Sequence, residues 1–338
     1  MKAVNLEAPT IIGLKDISEP KRKPGEALIK IKAVGICGSD IGAYRGTNTL
    51  VSYPRIIGHE LAGELVEINE NPHGFKAGDR IIVDPYLYCG SCYPCSIGRT
   101  NCCENLKVLG VHVDGGMAEY ITHPADMLVP VPDALPWELI PLAEPLTIAL
   151  HAVHRTKLKA GEHIAINGAG AIGLLIAQAA LAYGATPVLI DVVQERLEFA
   201  QNLGIPHGIQ LGKQDVLQEL KKITNGRMAE VVVEASGANA AIRNTLDMVS
   251  FAGRIALTGW PKTQTELPTD IITKKEIDIR GSRTSAGEFE EALELIVSHK
   301  VDAAKILSKV VSLAEVPAMV REQSEFPGKY LKINALLD

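Results

Sequence analysis

Residues Ile164–Asp191 read IAINGAGAIGLLIAQAALAYGATPVLID, and the fold is decided by this stretch. Ile164 to Ile166 supply a short apolar strand. Gly168, Gly170 and Gly173 form a turn in G-x-G-x-x-G spacing, a helix with small and apolar residues on nearly every face starts at about 171, and Val188 to Ile190 form a second buried strand. In such a turn one glycine permits the tight bend, one lets backbone approach a pyrophosphate, and one allows close packing of helix on strand. Unpaired N–H groups in the first helical turn, which contains Ile172, then face the phosphates. Asp191 lies eighteen residues past Gly173, where a ribose-binding carboxylate is expected. The stretch reads as a dinucleotide site.

The acid also bears on which dinucleotide is held. A carboxylate at the end of that strand accepts hydrogen bonds from the adenosine ribose and repels the extra phosphate of NADP. At about 4 Å one such charge pair is worth roughly 1 kcal/mol in water and about 4 kcal/mol at an effective dielectric near 20. Val192, Val193 and Gln194 follow, so no cation is expected immediately beside Asp191, although Arg196 is near in sequence. The reading is NAD.

The chain has 338 residues, 46% hydrophobic and 22% charged, enough for two domains with separate cores. A net charge of -6 gives no global attraction for nucleic acid or an anionic membrane. The opening MKAVNLEAPT lacks the apolar core of a signal peptide. The longest apolar run, Ala171 to Ala182, is interrupted by Gln178 and too short for a bilayer, so a cytoplasmic location is expected. Five of the six cysteines crowd into Cys89–Cys103, which suggests metal rather than disulfides.

Residues 1 to about 145 carry short alternating runs, such as Ala27–Val34 and Gly63–Ile68, punctuated by Gly and Pro, which suggest an antiparallel β domain. From Ala160 strand and helix alternate: strand 164–166, helix from 171, strand 188–190, helix 194–203, strand 230–234, helix 238–249, strand 254–258, strand 277–281. This predicts a doubly wound parallel sheet. Gly287–His299 reads as an amphipathic helix, and the tail is expected to return to the first domain. The expected division is 1–146, with a metal-pinned lobe at about 86–104, then 147–285, then 286–338.

Cys89-Gly-Ser-Cys92-Tyr-Pro-Cys95, followed by Cys103 after seven more residues, has the spacing of a tetrahedral thiolate cage for zinc, with each sulfur about 2.3 Å from the metal. A site with four thiolates and no open position is structural, and Cys102 is read as a spare. A dispersed set is more relevant to chemistry: Cys37 in GICGSD, His59 and Glu60 in YPRIIGHELAG, and Glu144 in LAEPL. One thiolate, one imidazole and carboxylate suit zinc and leave room for water or substrate.

GICGSD, the GHE of Gly58–Glu60, CGSCYPC with the pair at 102 and 103, VLGVHVDGGMAEY, AEPLTIALHAV and GAGAIG occur in an order that resembles the zinc-dependent medium-chain dehydrogenases over essentially the whole chain. The chain is most similar to the polyol and sugar-acid branch, which includes sorbitol, threonine, idonate and galactonate dehydrogenases. The resemblance implies a GroES-like catalytic domain and a Rossmann domain with the active site in a cleft. It implies that Cys37 and His59 ligate a catalytic zinc, that Glu60 is a ligand or its alternate, and that Glu144 reaches the zinc directly or through water. Cys89, Cys92, Cys95 and Cys103 become the structural site, making two zinc ions per chain. With four cysteines committed there and Cys102 beside them, no second thiolate is left for the catalytic zinc.

Zinc can lower the pKa of bound water from about 15.7 to about 7. The same polarisation lets a bound secondary alcohol lose its proton and pass hydride to nicotinamide. Ser39 is the candidate for receiving that proton. Gly42 stands where many relatives carry a histidine, which departs from the expected relay. Glu234-Ala-Ser236-Gly237, Thr258-Gly259 and Gly281-Ser282-Arg283 follow predicted strands, where open α/β sheets bind ligands, and are assigned to the nicotinamide side. Arg283, Tyr44, Arg45 and His112 are candidate substrate contacts. The expected activity is hydride transfer between NAD and a secondary alcohol of a polyhydroxylated substrate, a sugar acid such as an aldonate, in a homodimer or homotetramer. The alternatives are a sorbitol-like polyol, a sugar-alcohol phosphate or threonine as substrate, or a non-catalytic NAD-binding protein.

Overall fold

A computed structural model describes residues 1–69, 71 and 73–338. The chain divides into two compact units: Met1–Glu144 with Phe289–Val297 and Ala303–Asp338, and Pro145–Glu288 with Ser298–Asp302. No helix among the described residues is long and apolar enough to cross a membrane.

The first unit is built on a mainly antiparallel sheet. Its order is Leu128–Pro130, Arg80–Val83, Glu60–Glu67, Glu26–Ile36, Lys332–Leu336, Leu307–Ser312, with Tyr120–Pro124 also paired to Glu26–Ile36. Among the described residues only the Leu307–Ser312 and Lys332–Leu336 pair within it is parallel. Strand Glu26–Ile36 alternates half-buried and buried residues through Lys32, placing Ala27, Ile29 and Ile31 in the core, and is buried throughout from Ala33. It ends immediately before Cys37. Gly35 is paired with Glu60, and a Cβ at Gly35 would stand 1.8 Å from Glu60 Oε2, so only glycine leaves room for that carboxylate.

The second unit contains six parallel strands: His163–Asn167, Thr186–Asp191, His207–Gln210, Ala229–Glu234, Val249–Leu257 and Asp278–Gly281. Counted along the chain, their order in the sheet is 3-2-1-4-5-6. The order reverses beside the first strand, which is where such sheets hold dinucleotides. Both fold expectations hold, with additions. Strand His207–Gln210 and helices Val216–Ile223, Thr269–Lys275 and Ala143–Thr156 were not anticipated, and the fifth strand begins at Val249 rather than 254. His207–Gln210 has a single fully buried apolar residue, Ile209, and sits at the sheet edge, so neither periodicity nor length marks it.

Candidate active site and metal centres

Ligand atoms of Cys37, His59 and Glu60 lie within 4.8 Å of one another. Cys37 caps the start of helix Gly38–Tyr44, and its N–H donates to Asp40 Oδ2 at 2.9 Å. Asp40 Oδ1 accepts from Gly58 N–H at 3.3 Å, so one buried carboxylate ties the Cys37 segment to the segment that carries His59. Gly58 has φ +99, and a Cβ there would meet Met117 Cγ at 2.6 Å. Glu60 begins strand Glu60–Glu67, and the Lys332 ammonium, from the last strand, donates to Glu60 Oε1 and, at 3.1 Å, to Ile36 O. Ser39 Oγ is 3.5 Å from His59 Nε2. The Tyr86 hydroxyl donates to Glu144 Oε1, and Glu144 falls outside the three-residue set.

The electrostatics call for a cation. Burial opposes a charged His59 ring, yet Cys37, Asp40 and Glu144 outweigh it and raise the imidazole pKa well above its ordinary value. Burial pushes the Glu144 carboxyl up to about 7; His59 opposes that shift and Glu60 adds to it. Burial also disfavours the Lys332 ammonium, but Glu60 and Cys37 reverse this and raise its pKa. His59 Nδ1 and Glu60 Oε2 are buried without a hydrogen-bond partner among the described residues, a costly arrangement unless a ligand satisfies it. A thiol sulfur, an imidazole and a carboxylate fit zinc and leave a coordination position open.

The second centre is closed. Cys89, Cys92, Cys95 and Cys103 place their sulfurs within 4.8 Å of one another, and none is in a disulfide. Cys92 Sγ is 3.4 Å from Cys95 Sγ and 3.8 Å from Cys103 Sγ, close to the roughly 3.8 Å edge of a tetrahedron with bonds of about 2.3 Å. Cys103 Sγ accepts from the N–H groups of Cys89 and Asn105, each at 3.3 Å. N–H groups of Ser91 and Cys92 hold the Cys89 thiol down to about 5, while desolvation and the Cys92 sulfur push Cys95 up to about 12. A zinc ion fits this donor set. Cys102 is outside it, and the core beside it is small: Tyr86, Cys103 and Leu106.

In the second unit, Gly168 has φ +99 and its N–H donates to Ile190 O at 2.8 Å. A Cβ at Gly173 would stand 1.8 Å from Gly168 O, whereas one at Gly170 would meet nothing within 4 Å, so open space lies before the N-terminus of helix Ala171–Ala182. Ile172 is in its first turn. That geometry suits a pyrophosphate. Asp191 Oδ2 accepts from Ala169 N–H at 2.7 Å and Oδ1 from Val193 N–H at 2.8 Å. Arg196 Nη1 is 3.6 Å from Asp191 Oδ2, which corrects the expectation that no cation stands beside the acid: one helical turn after Val193 brings the guanidinium back to it. Ser236 N–H and hydroxyl both donate to buried Glu234, and Ser282 N–H donates to Leu257 O at 2.9 Å next to Thr258.

Other candidates are engaged elsewhere. Tyr44 packs on the core of the first unit, Arg45 donates to the hydroxyl and carbonyl of Ser324, and His112 Nδ1 accepts from Val108 N–H at 3.1 Å. Arg283 is exposed one residue beyond Ser282. Sequence reasoning missed Asp40, Tyr86 and Lys332. The capping-box spacing of Cys37 and Asp40 could have flagged the first, and a lysine within the apolar alternation of the last strand the third.

The alcohol dehydrogenase GroES-like domain family matches residues 23–133, and the zinc-binding dehydrogenase family matches residues 171–298. A zinc-type alcohol dehydrogenase-like protein of Haemophilus influenzae is 58% identical over 99% of this chain and 98% of its own. The chain belongs to the zinc-type alcohol dehydrogenases. The L-galactonate-5-dehydrogenase of Escherichia coli K12 is 36% identical to this dehydrogenase over 91% of each chain. The crystal structure of the alcohol dehydrogenase RspB from E. coli CFT073, complexed with NADH, matches it with a TM-score of 0.93 at 30% identity, covering 100% of this chain and 99% of that one.

Proposed function

We propose that this dehydrogenase oxidises a secondary alcohol of a sugar acid, such as an aldonate, with NAD. The observation carrying the catalytic part is the compact Cys37, His59 and Glu60 donor set with Ser39 beside it. Zinc held by these three residues would acidify a coordinated alcohol, and NAD would supply the hydride acceptor. Ser39 Oγ, which is partly exposed, would take the proton of the substrate hydroxyl and release its own to water. Asp40 keeps the Cys37 and His59 segments at a fixed separation. Lys332 holds Glu60 by one oxygen and leaves Oε2 for the metal. The Gly168–Gly173 turn receives the pyrophosphate and Asp191 the adenosine ribose.

The sugar-acid assignment is supported by the galactonate relative and by the exposed Arg283. A second reading is supported by the sorbitol dehydrogenase of Bacillus subtilis, also 36% identical, over 98% of this chain and 96% of that one. An aldonate carboxylate calls for a guanidinium partner and a hexitol does not. Arg283, exposed just past the end of strand Asp278–Gly281, is assigned to that role. A panel of aldonates, hexitols, threonine and simple alkanols, followed by NADH absorbance, tests the assignment: fastest turnover of an aldonate is expected. Arg283→Ala should raise KM for the acid about tenfold or more beyond any change for the matching hexitol, from loss of a charge-assisted contact of about 1.5–3 kcal/mol. Equal losses for both, or a hexitol as best substrate, would move the protein to the polyol reading.

A further inference from the structure

Glu288 is a buried carboxylate, 6% exposed, that no step of the oxidation uses. Its Oε2 accepts from Ala286 N–H, and its Oε1 lies 2.7 Å from His151 Nδ1 and 3.4 Å from His154 Nδ1. The two imidazoles are three residues apart on helix Ala143–Thr156 and therefore share a face. His154 Nε2 is in turn 3.0 Å from the Tyr183 hydroxyl. The same helix holds the other end of the segment: Arg155 Nε donates to Gly281 O at 3.0 Å, and Arg280 Nη1 donates to Arg155 O at 2.7 Å. Gly281–Glu288 is thus fastened at both ends to one helix.

Between those fastenings the segment has the features of a ligand-bearing loop. Ser282 and Ser285 are 7% and 4% exposed, and their hydroxyls, with those of Thr284 and neighbouring Thr258, are buried without a hydrogen-bond partner among the described residues. Thr284 has φ +47, a left-handed conformation that a β-branched residue adopts only when its surroundings impose it. The hydroxyls lie just past the ends of adjacent parallel strands, where an open α/β sheet takes its ligand. Buried donors left unmade are costly, so a ligand that completes them is bound more tightly when the loop is already in place.

We propose that Glu288 is a positioning residue: gripped by His151 and His154 and bonded to Ala286 N–H, it holds Gly281–Glu288 in the strained conformation that presents the Ser282, Thr284 and Ser285 hydroxyls to the nicotinamide end of the cofactor. This rests on the NAD reading above. Glu288 acts through the loop and touches neither substrate nor cofactor.

The test compares dissociation constants for NADH and for ADP-ribose, which lacks the nicotinamide, in the zinc-loaded wild-type protein and in Glu288→Ala, Glu288→Gln and His154→Ala. Glu288→Ala should weaken NADH about tenfold, as expected for loss of a charged hydrogen-bond anchor, and leave ADP-ribose unchanged. Glu288→Gln, which still accepts from Ala286 N–H, should recover part of the loss. Hydrogen exchange should show the Ala286 amide deprotected in Glu288→Ala while the Ala169 and Val193 amides stay protected. Should Glu288→Ala fail to fold, His154→Ala, at the more exposed edge of the clamp, should show the same selective weakening at smaller size. Equal weakening of NADH and ADP-ribose, or unchanged NADH affinity, would overturn the positioning role. Wild-type protein that binds neither ligand would instead overturn the cofactor reading, and the proposal with it.

Discussion

The two cysteine-containing centres of the first unit gather their ligands in opposite ways. The four sulfurs of Cys89, Cys92, Cys95 and Cys103 come from one stretch of fifteen residues with a three-residue core beside it, so the metal would substitute for packing that the lobe lacks. Cys37, His59 and Glu60 come from a helix start and a strand start whose spacing is set by the large core of the sheet, by Asp40 and by the Gly35–Glu60 pairing. Here the protein would make the site and the metal would add chemistry. A closed thiolate set is a structural element, and an open mixed set is a reactive one.

The largest effect that could break this contrast is loss of one sulfur from each centre. Cys37→Ser is expected to abolish turnover while circular dichroism and melting stay close to the parent. Cys92→Ser is expected to cost folding yield and melting temperature. If Cys37→Ser unfolds the chain, or Cys92→Ser folds and turns over normally, the assignment of roles is reversed. Metal analysis should find two zinc ions per chain, and graded chelation should remove activity before it removes structure; one zinc in fully active protein would contradict this.

The same contrast explains what could be read from the sequence. The Cys89–Cys103 spacing is local, and local spacing survives into the fold. The dinucleotide turn was equally legible because strand, glycine turn and helix are contiguous in Ile164–Asp191. The open site was traced through family resemblance, because its geometry depends on strand register: Gly35 opposite Glu60, and Ile36 opposite Ile333. Lys332, nearly three hundred residues from Cys37, reaches the site only because the last strand inserts beside Glu26–Ile36. Arg196, a cofactor-site candidate from its nearness in sequence, reaches Asp191 for a related reason, since a helical turn brings side chains together that look separated along the chain.

Lys332 sharpens the comparison at an intermediate scale. Its ammonium holds Glu60 Oε1 and repels a cation on Oε2, so Lys332→Met should leave a more strongly binding carboxylate and make the open site behave more like the closed one. Removing one unit charge at contact distance corresponds to about 1–4 kcal/mol, so zinc should resist chelation about tenfold longer and kcat should fall. The metal-free variant should melt lower, because an unpaired buried carboxylate costs about 3–5 kcal/mol. Faster zinc loss from Lys332→Met would show that the lysine's hold on the position of Glu60 outweighs its repulsion of the metal.

The smallest expected effect concerns the ribose end, where Asp191 and Arg196 oppose one another. The acid repels a 2′-phosphate, and the guanidinium 3.6 Å away attracts one. Both N–H groups that bind Asp191 hold its carboxylate in place, so the acid is the better-fixed charge, while Arg196 is a third exposed at its side chain and more strongly screened. NAD should therefore still be preferred, but by a margin near the lower Coulomb figure of about 1 kcal/mol, or about fivefold, rather than the thousandfold that a lone buried carboxylate would allow. Asp191→Ser should release Arg196 and raise kcat/KM with NADP, while Arg196→Gln should widen the preference for NAD. If Arg196→Gln instead narrows it, the guanidinium serves to orient Asp191 for the ribose hydroxyls, and the balance of charges is not what sets the choice of cofactor.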